Sequence, residues 1–333
     1  MYTNTSNIPL PFAIWLAADH GYDLKFDPTV ASATEILRPM RSIILSRQLA
    51  AANAAIVTDE VVTRDINEKA AAALGTAVHT AVELAWTQHY KLAMTNLGYP
   101  EDVINRVQIN PGHIHPYSNE LNMYFEKRSE KTIEGFTLSG KFDLVMENTV
   151  HDIKTTKAYT YMKGTQNKKY ALQGSIYRWL NPDIITEDTM IVDYYFTDWS
   201  PVAASKEKDK NYPPSRMLAK SFNLLTHGDT EQFIRTQLQE IKRLTNKPQN
   251  ELPRCTPEEL WQNPAKYEYW SKATNTRCSK IHDNPTDAAQ MVIDKGTGFV
   301  TERQFEPTFC KFCDARSICT QAAEFVQQGL LTT

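Results

Sequence analysis

Two acids set inside apolar strands constrain this chain more than any other feature. Gly140-Lys141-Phe142-Asp143-Leu144-Val145 places one carboxylate in an apolar run. Val150-His151-Asp152-Ile153-Lys154-Thr155 places a second, with a lysine two residues on. Residues 132–147 and 150–156 alternate like strands, and Glu147-Asn148-Thr149 reads as the turn of a hairpin between them. On a strand, a spacing of two puts side chains on one face. Asp152 and Lys154 therefore share a face, and strand pairing brings Asp143 beside them. Burying two carboxylates and an ammonium on apolar strands is costly. The usual resolution is a hard cation held by the carboxylates, with the lysine near a reacting water or phosphate. An exposed ion-pair network would use the same residue types.

The segments on either side read as helices. Residues 66–97 are Ala-rich with an apolar face, and within them Gly75-Thr76-Ala77-Val78-His79-Thr80-Ala81-Val82-Glu83 sets His79 and Glu83 at i and i+4, on one helix face. His79 is a candidate ligand, and Glu83 a candidate supporting carboxylate. Residues 168–180 form a second helix that stops before Pro182 and carries Gln173 and Tyr177, again at i and i+4. Further expectations are irregular structure over 1–31, a helix start at Ser32–Thr34 interrupted by Pro39, and a helix over 40–53. A helix is also expected over 118–128, strand over 190–199, loop over 200–216 and a capped helix from Asp229 to about Asn246. A small α/β appendage follows from 256 to 305.

The order of these pieces carries more than any one of them. GxxxH on a helix, GKxD, a short turn, DxK and QxxxY on a helix together resemble the RecB-type branch of the PD-(D/E)xK nuclease superfamily, including Cas4-like and bacteriophage exonucleases. The resemblance covers about residues 75–180 by motif and extends to Trp199. It implies an α/β fold with a restriction-endonuclease-like core, a mixed sheet flanked by helices, over 66–250. An N-terminal helical segment, 1–65, would pack on that core, and a C-terminal appendage, 251–333, would end in a cysteine cluster. The implied activity is a Mg²⁺- or Mn²⁺-dependent deoxyribonuclease, foremost an exonuclease in phage DNA replication, recombination or host DNA degradation. His79, Asp143, Asp152 and the Ile153 carbonyl would hold the ion, Lys154 would orient or activate water, and Gln173 and Tyr177 would support the lysine and contact DNA. The alternative is a non-catalytic DNA-binding or assembly module.

Cys310-Lys311-Phe312-Cys313 followed by Cys319 gives C-x2-C-x5-C, three thiolates within reach of one metal. Cys255 or Cys278 would supply the fourth, with Cys255 preferred because it follows Pro253 at the segment boundary. Cas4-like relatives carry a [4Fe–4S] cluster with one upstream and three C-terminal cysteines. This chain has no cysteine before residue 255, so iron–sulfur and Zn²⁺ both stand.

A formal net charge of −3 excludes a uniformly basic nucleic-acid coat, so DNA attraction must be local. Lys157, Lys163, Lys168 and Lys169, interleaved with Tyr159, Tyr161 and Tyr170, suit phosphate neutralisation and base stacking. Lys157 and Tyr159 are the foremost substrate contacts, and Arg38, Arg41 and Arg47 form a second candidate patch. With no Walker-type GxxxxGK[ST], unwinding falls to a partner: a helicase, recombinase or single-strand-binding protein. No apolar run reaches the 18 residues of a membrane span. The N-terminus lacks a basic-then-apolar leader. The cytoplasm, or the host cytoplasm for a phage protein, is the expected location.

Overall fold

A six-stranded mixed sheet carries the two acids. Its order is Met217–Asn223, Thr189–Phe196, Thr149–Thr156, Leu144–Met146, Leu121–Phe125, Val107–Ile109. The computed structural model describes residues 2–18, 26–55, 64–112, 119–206 and 211–332. Lys208 and Lys210, in the expected 200–216 loop, lie outside the described residues, and Pro201–Lys206 is a helix.

The hairpin forms where the alternation places it. Leu144–Met146 pairs antiparallel with Thr149–Thr156, and the two residues between them, Glu147 (φ 48°) and Asn148 (φ 64°), both take positive φ. That is the geometry a tight hairpin turn needs to match strand twist. Thr149–Thr156 then runs parallel to Thr189–Phe196, with the helix Asn167–Leu180 in the crossover between them. Parallel neighbours require such a crossover. Met190, Val192, Tyr194 and Phe196 are all buried and alternate with half-buried residues, so this strand keeps a period of two throughout.

Two expectations are corrected. Residues 132–147 do not form one strand. Glu134 (φ 54°) and Gly135 (φ 82°) make a tight turn between Arg128–Ile133 and Phe136–Lys141, which pair in a separate three-stranded sheet with Val30–Ser32. The chain leaves that sheet at Phe142-Asp143 and joins the six-stranded one at Leu144. Second, residues 118–128 contain the strand Leu121–Phe125, not a helix. Met123, Tyr124 and Phe125 are all buried, so neither strand alternation nor a helical stripe is visible there.

The helix Ala70–Asn96 follows a short 3-10 turn, Ile66–Lys69, capped by Asp65. Its C-terminal half packs Trp86, Tyr90 and Met94 over Val107, Met123, Phe125 and Leu144. Gly174 lets the helix Asn167–Leu180 lie close on its neighbours. A Cβ there would fall 2.9 Å from Leu224 Cδ2 and closer still to Met190 Sδ. Gly174→Val is therefore expected to destabilise by about 1–3 kcal/mol through overpacking, read as a lowered midpoint in thermal unfolding.

The chain divides into two compact units, Met1–Leu37 with Val57–Gln239, and Arg38–Ile56 with Glu240–Thr333. This differs from the three segments 1–65, 66–250 and 251–333. The helix Met40–Ala55 belongs with the C-terminal residues: Gln48 donates to the carbonyls of Thr245 and Lys247, and Arg41 to those of Gln249 and Leu252. Pro39 precedes this helix rather than breaking one, and Ser32–Leu37 is a turn closed by Ser32 and Glu35. The second unit also holds an antiparallel sheet, ordered Lys280–His282, Lys266–Trp270, Phe299–Arg303, with the helix Pro285–Lys295. In the first unit, Leu10–Ala17 is a helix where irregular structure is expected. No described helix is long and apolar enough to cross a membrane.

Candidate active site and cysteine cluster

Strand register does the first part of the assembly. Leu144 pairs with His151, so one step further Asp143 stands opposite Asp152. Asp143 sits in the bend where the chain changes sheets, and its Oδ2 accepts the Ile153 backbone N–H at 2.8 Å. Asp152 is 1% exposed. Its Oδ1 accepts from Gln173 Nε2 at 3.1 Å, and Gln173 also donates to the Tyr177 hydroxyl at 2.9 Å. The QxxxY helix thus closes over the face that carries DxK. Lys154 Nζ lies 2.6 Å from Asp152 Oδ2 and 5.7 Å from the centre of the Tyr170 ring.

His79, on the helix Ala70–Asn96, reaches the same strand. Its Nε2 lies 2.9 Å from the Ile153 carbonyl, to which it donates as N–H. Nδ1 then faces Asp143 Oδ1 at 3.4 Å and Glu126 Oε1 at 4.0 Å. The ligand atoms of His79, Glu126 and Asp143 all lie within 4.8 Å of one another. Asp152 falls outside that group.

Glu126 is the site residue that sequence patterns miss. It follows the strand Leu121–Phe125 with φ 49°, its N–H donates to the Asp143 carbonyl at 3.0 Å, and its Oε2 pairs with Lys141. A helix over 118–128 would hide it. The aromatic run before it is the available signal. Glu83, expected as a supporting carboxylate, makes no hydrogen bond or ion pair with these groups.

The electrostatics describe a site short of positive charge. Burial pushes the Asp152 carboxyl up, against the pull of Lys154. One of its oxygens, Oδ2, has the ion contact to Lys154 but no aligned hydrogen bond. The hydrogen bond to Asp143 pushes His79 up, more than burial pushes it down. Burial would raise Asp143, and the His79 and Lys154 charges outweigh it and hold the carboxyl below its usual range. Carboxylate oxygens converging with one imidazole nitrogen, as Glu126 and Asp143 do with His79, fit Mg²⁺ or Mn²⁺.

Around this centre, Lys157 and Lys163 flank the exposed Tyr159, and Lys163 lies over its ring. Tyr161 and Tyr170 instead pack edge-on against Tyr194. Their rings belong to the fold, not to a free stacking surface.

In the second unit, Cys255, Cys310, Cys313 and Cys319 line one small pocket with Arg41, Ser42, Leu45 and Leu260. Cys278 does not. All five thiols are free, and the four in the pocket do not gather within 4.8 Å as His79, Glu126 and Asp143 do. Burial, then neighbouring charge, pushes Cys255 up to about 12 and Cys310 up to about 11. Arg41, 3% exposed, donates to Cys319 Sγ at 3.4 Å, and Ser42 Oγ lies 3.3 Å from Cys313 Sγ. The expected phosphate-facing patch does not form. Arg41 and Arg47 are buried, and Arg38 pairs with Asp314.

No protein-family model and no curated protein matches the chain. Among solved structures, one described as "Crystal structure of SSO0001" is similar with a TM-score of 0.40 and 15% identity, over 73% of this chain and 90% of that one.

Proposed function

We propose that this protein is a Mg²⁺- or Mn²⁺-dependent deoxyribonuclease with a restriction-endonuclease-like core, acting as an exonuclease in phage DNA replication, recombination or host DNA degradation. The observation that carries the reading is the buried Asp152, bonded to Gln173 and Lys154 and standing opposite Asp143, with His79 of the helix Ala70–Asn96 bonded to the same strand at the Ile153 carbonyl. A structural ion pair needs one acid and one base. This arrangement has two acids, an imidazole and an amide around them.

His79, Asp143, Asp152 and the Ile153 carbonyl are the residues that would hold the ion. Bound there, a divalent cation supplies Lewis-acid chemistry, making water a better nucleophile and offsetting charge on the departing oxygen. Lys154 holds the attacking water and the phosphate oxygen in line. Asp152 keeps the ammonium in place, and Gln173, braced by Tyr177, keeps Asp152 in place. Lys157, Tyr159 and Lys163 meet the DNA backbone and an unpaired base. The four pocket cysteines would hold a structural [4Fe–4S] cluster or Zn²⁺. A helicase, recombinase or single-strand-binding protein would supply unwinding.

The deciding assay uses end-labelled linear and closed circular DNA with Mg²⁺. Cleavage of the linear form alone supports an exonuclease. Tight binding without cleavage, across several divalent metals, would favour the non-catalytic module instead.

A pH dependence follows from His79. In metal-free protein its raised pKa means that the pair with Asp143 contributes stability below the ordinary imidazole value and loses it as pH rises through the raised one. Asp143 is depressed, so its share is present above the ordinary carboxylate value and lost as pH falls through the lowered one. The stability difference between wild type and His79→Ala, measured in chelator, should peak between about pH 4 and pH 6.5 and shrink on both sides.

A further inference from the structure

We infer that the antiparallel sheet of the second unit carries its own site for single-stranded DNA, where an unpaired base stacks on Trp270 and Phe299 and the flanking phosphates meet Lys272 and Arg277. Side chains on this sheet alternate between a covered and an open face. Tyr269 takes the covered side: it is 2% exposed, and its hydroxyl donates to the Thr297 carbonyl. Trp270, one residue on, takes the other. Register sets Phe299 directly across from Trp270, and Ile281 across from Glu268 two residues before it. Phe299 and Ile281 are 40% and 51% exposed, so this face is open.

The aromatic pair on it is held flat. The Trp270 indole N–H donates to Thr301 Oγ1 at 2.9 Å, which ties the ring to the neighbouring strand. The Trp270 and Phe299 rings lie 7° from parallel with centres 6.4 Å apart. Gly298 (φ 96°) permits this approach, because a Cβ there would fall 2.7 Å from the Tyr269 ring and closer still to the Trp270 carbonyl. Such faces accept any nucleobase by stacking. Charge then selects the occupant. Along the strands the open face is balanced, Lys266 pairing with Asp283 and Arg303 with Glu268. The loop 271–279 that follows Trp270 contains two bases, Lys272 and Arg277, and no acid. Both are exposed, and neither has an ion pair among the described residues. Ser271 Oγ accepts from Asn275 Nδ2 and Ser279 Oγ, which fastens this loop at the aromatic end of the sheet. An oligosaccharide or a proline-rich peptide would use the rings and leave the cations idle. Duplex DNA would use the cations and leave the rings idle. A single strand uses both. That it is DNA rests on the nuclease reading above, but stacking needs no hydrolysis.

Photocrosslinking locates the strand. Oligothymidylate of about twelve nucleotides carrying 5-iodouracil is irradiated with the full chain without added Mg²⁺, and the crosslinked residue is mapped by mass spectrometry. A crosslink at Trp270 or Phe299 is expected, displaced by unlabelled single strand and not by duplex of the same sequence. Phe299→Ala should weaken binding at this position by about 5- to 100-fold, and Phe299→Tyr should restore it. Lys272→Ala with Arg277→Ala should lower the slope of log affinity against log salt by about 1.4. All three positions are exposed, so melting temperatures near wild type confirm the fold of the variants. A crosslink confined to the first unit, equal displacement by duplex, stronger displacement by oligouridylate than by oligothymidylate, or an affinity unmoved in Phe299→Ala overturns the proposal. Hydrolysis without this crosslink keeps the nuclease reading and removes the stacking site. The crosslink without hydrolysis does the reverse.

Discussion

Replacing Lys154 by Met should lower the rate of DNA hydrolysis by about 10²–10⁴, the range for losing one positioned proton-handling group, while DNA binding changes little. The position of the ammonium is the reason. Lys154 is 2.6 Å from an acid that is itself held by Gln173, so its head is fixed through two bonds rather than free in solvent. The obvious objection is that the pair is only structural. Removing one member of a buried pair strands the other and costs about 3–5 kcal/mol, so activity could be lost through unfolding alone. The double variant Asp152→Asn with Lys154→Met answers this. It is charge-balanced and keeps the volume, so a structural pair would be replaced with little loss. The expected result is a protein that melts near wild type and does not cleave. A double variant that cleaves at the wild-type rate would remove the catalytic assignment, because the pair would then be dispensable to chemistry.

Much of the site is legible in the sequence because it depends on local period. Asp152 and Lys154 lie two apart on a strand, and Gln173 and Tyr177 four apart on a helix. Both relations survive folding unchanged. The hydrogen bond from Gln173 to Asp152 joins the two patterns. The helices 70–96, 167–180 and 227–244 are also visible from their apolar positions, although the last begins at His227 with Thr226 accepting the Asp229 N–H, two residues before the expected start at Asp229. What stays hidden depends on the third dimension. Glu126 enters the site because the chain switches sheets between Lys141 and Leu144, which no periodicity records. Its strand, Leu121–Phe125, has three consecutive buried residues, and a strand buried on both faces looks like a helix fragment over so short a span. Arg41 misleads for a related reason. Basic residues near a helix start suggest phosphate, yet this one faces inward, toward thiols that lie more than 200 residues later.

That buried guanidinium carries the second large expectation: Cys313→Ser should abolish zinc or iron content and lower thermal stability more than either Gly174→Val or Lys154→Met. Arg41 donates to Cys319 Sγ, the carbonyls of Gln249 and Leu252, Gln249 Oε1 and Thr320 Oγ1. None of these acceptors is a carboxylate, and a buried charge is tolerated when it is paired. Without a metal, burial keeps Cys255 and Cys310 as neutral thiols, and Arg41 has no anion among these acceptors. Metal ligation would remove the thiol protons and give a site of net negative charge, with Arg41 as its counter-ion. Structural zinc in small peptides contributes about 10–16 kcal/mol of apparent folding free energy, comparable to the whole stability of a typical domain at about 5–15 kcal/mol. Loss of one ligand should thus raise amide exchange across residues 240–332 as well as lower the melting temperature. Arg41→Met should weaken metal retention against a chelator while leaving all four ligands in place. That outcome separates a counter-ion from a packing role, since methionine fills much of the same space. Metal analysis and the visible spectrum of anaerobically purified protein distinguish zinc from iron–sulfur. A metal-free protein in which Cys313→Ser melts with wild type would leave Arg41 without a charge partner in the pocket and end the cluster assignment.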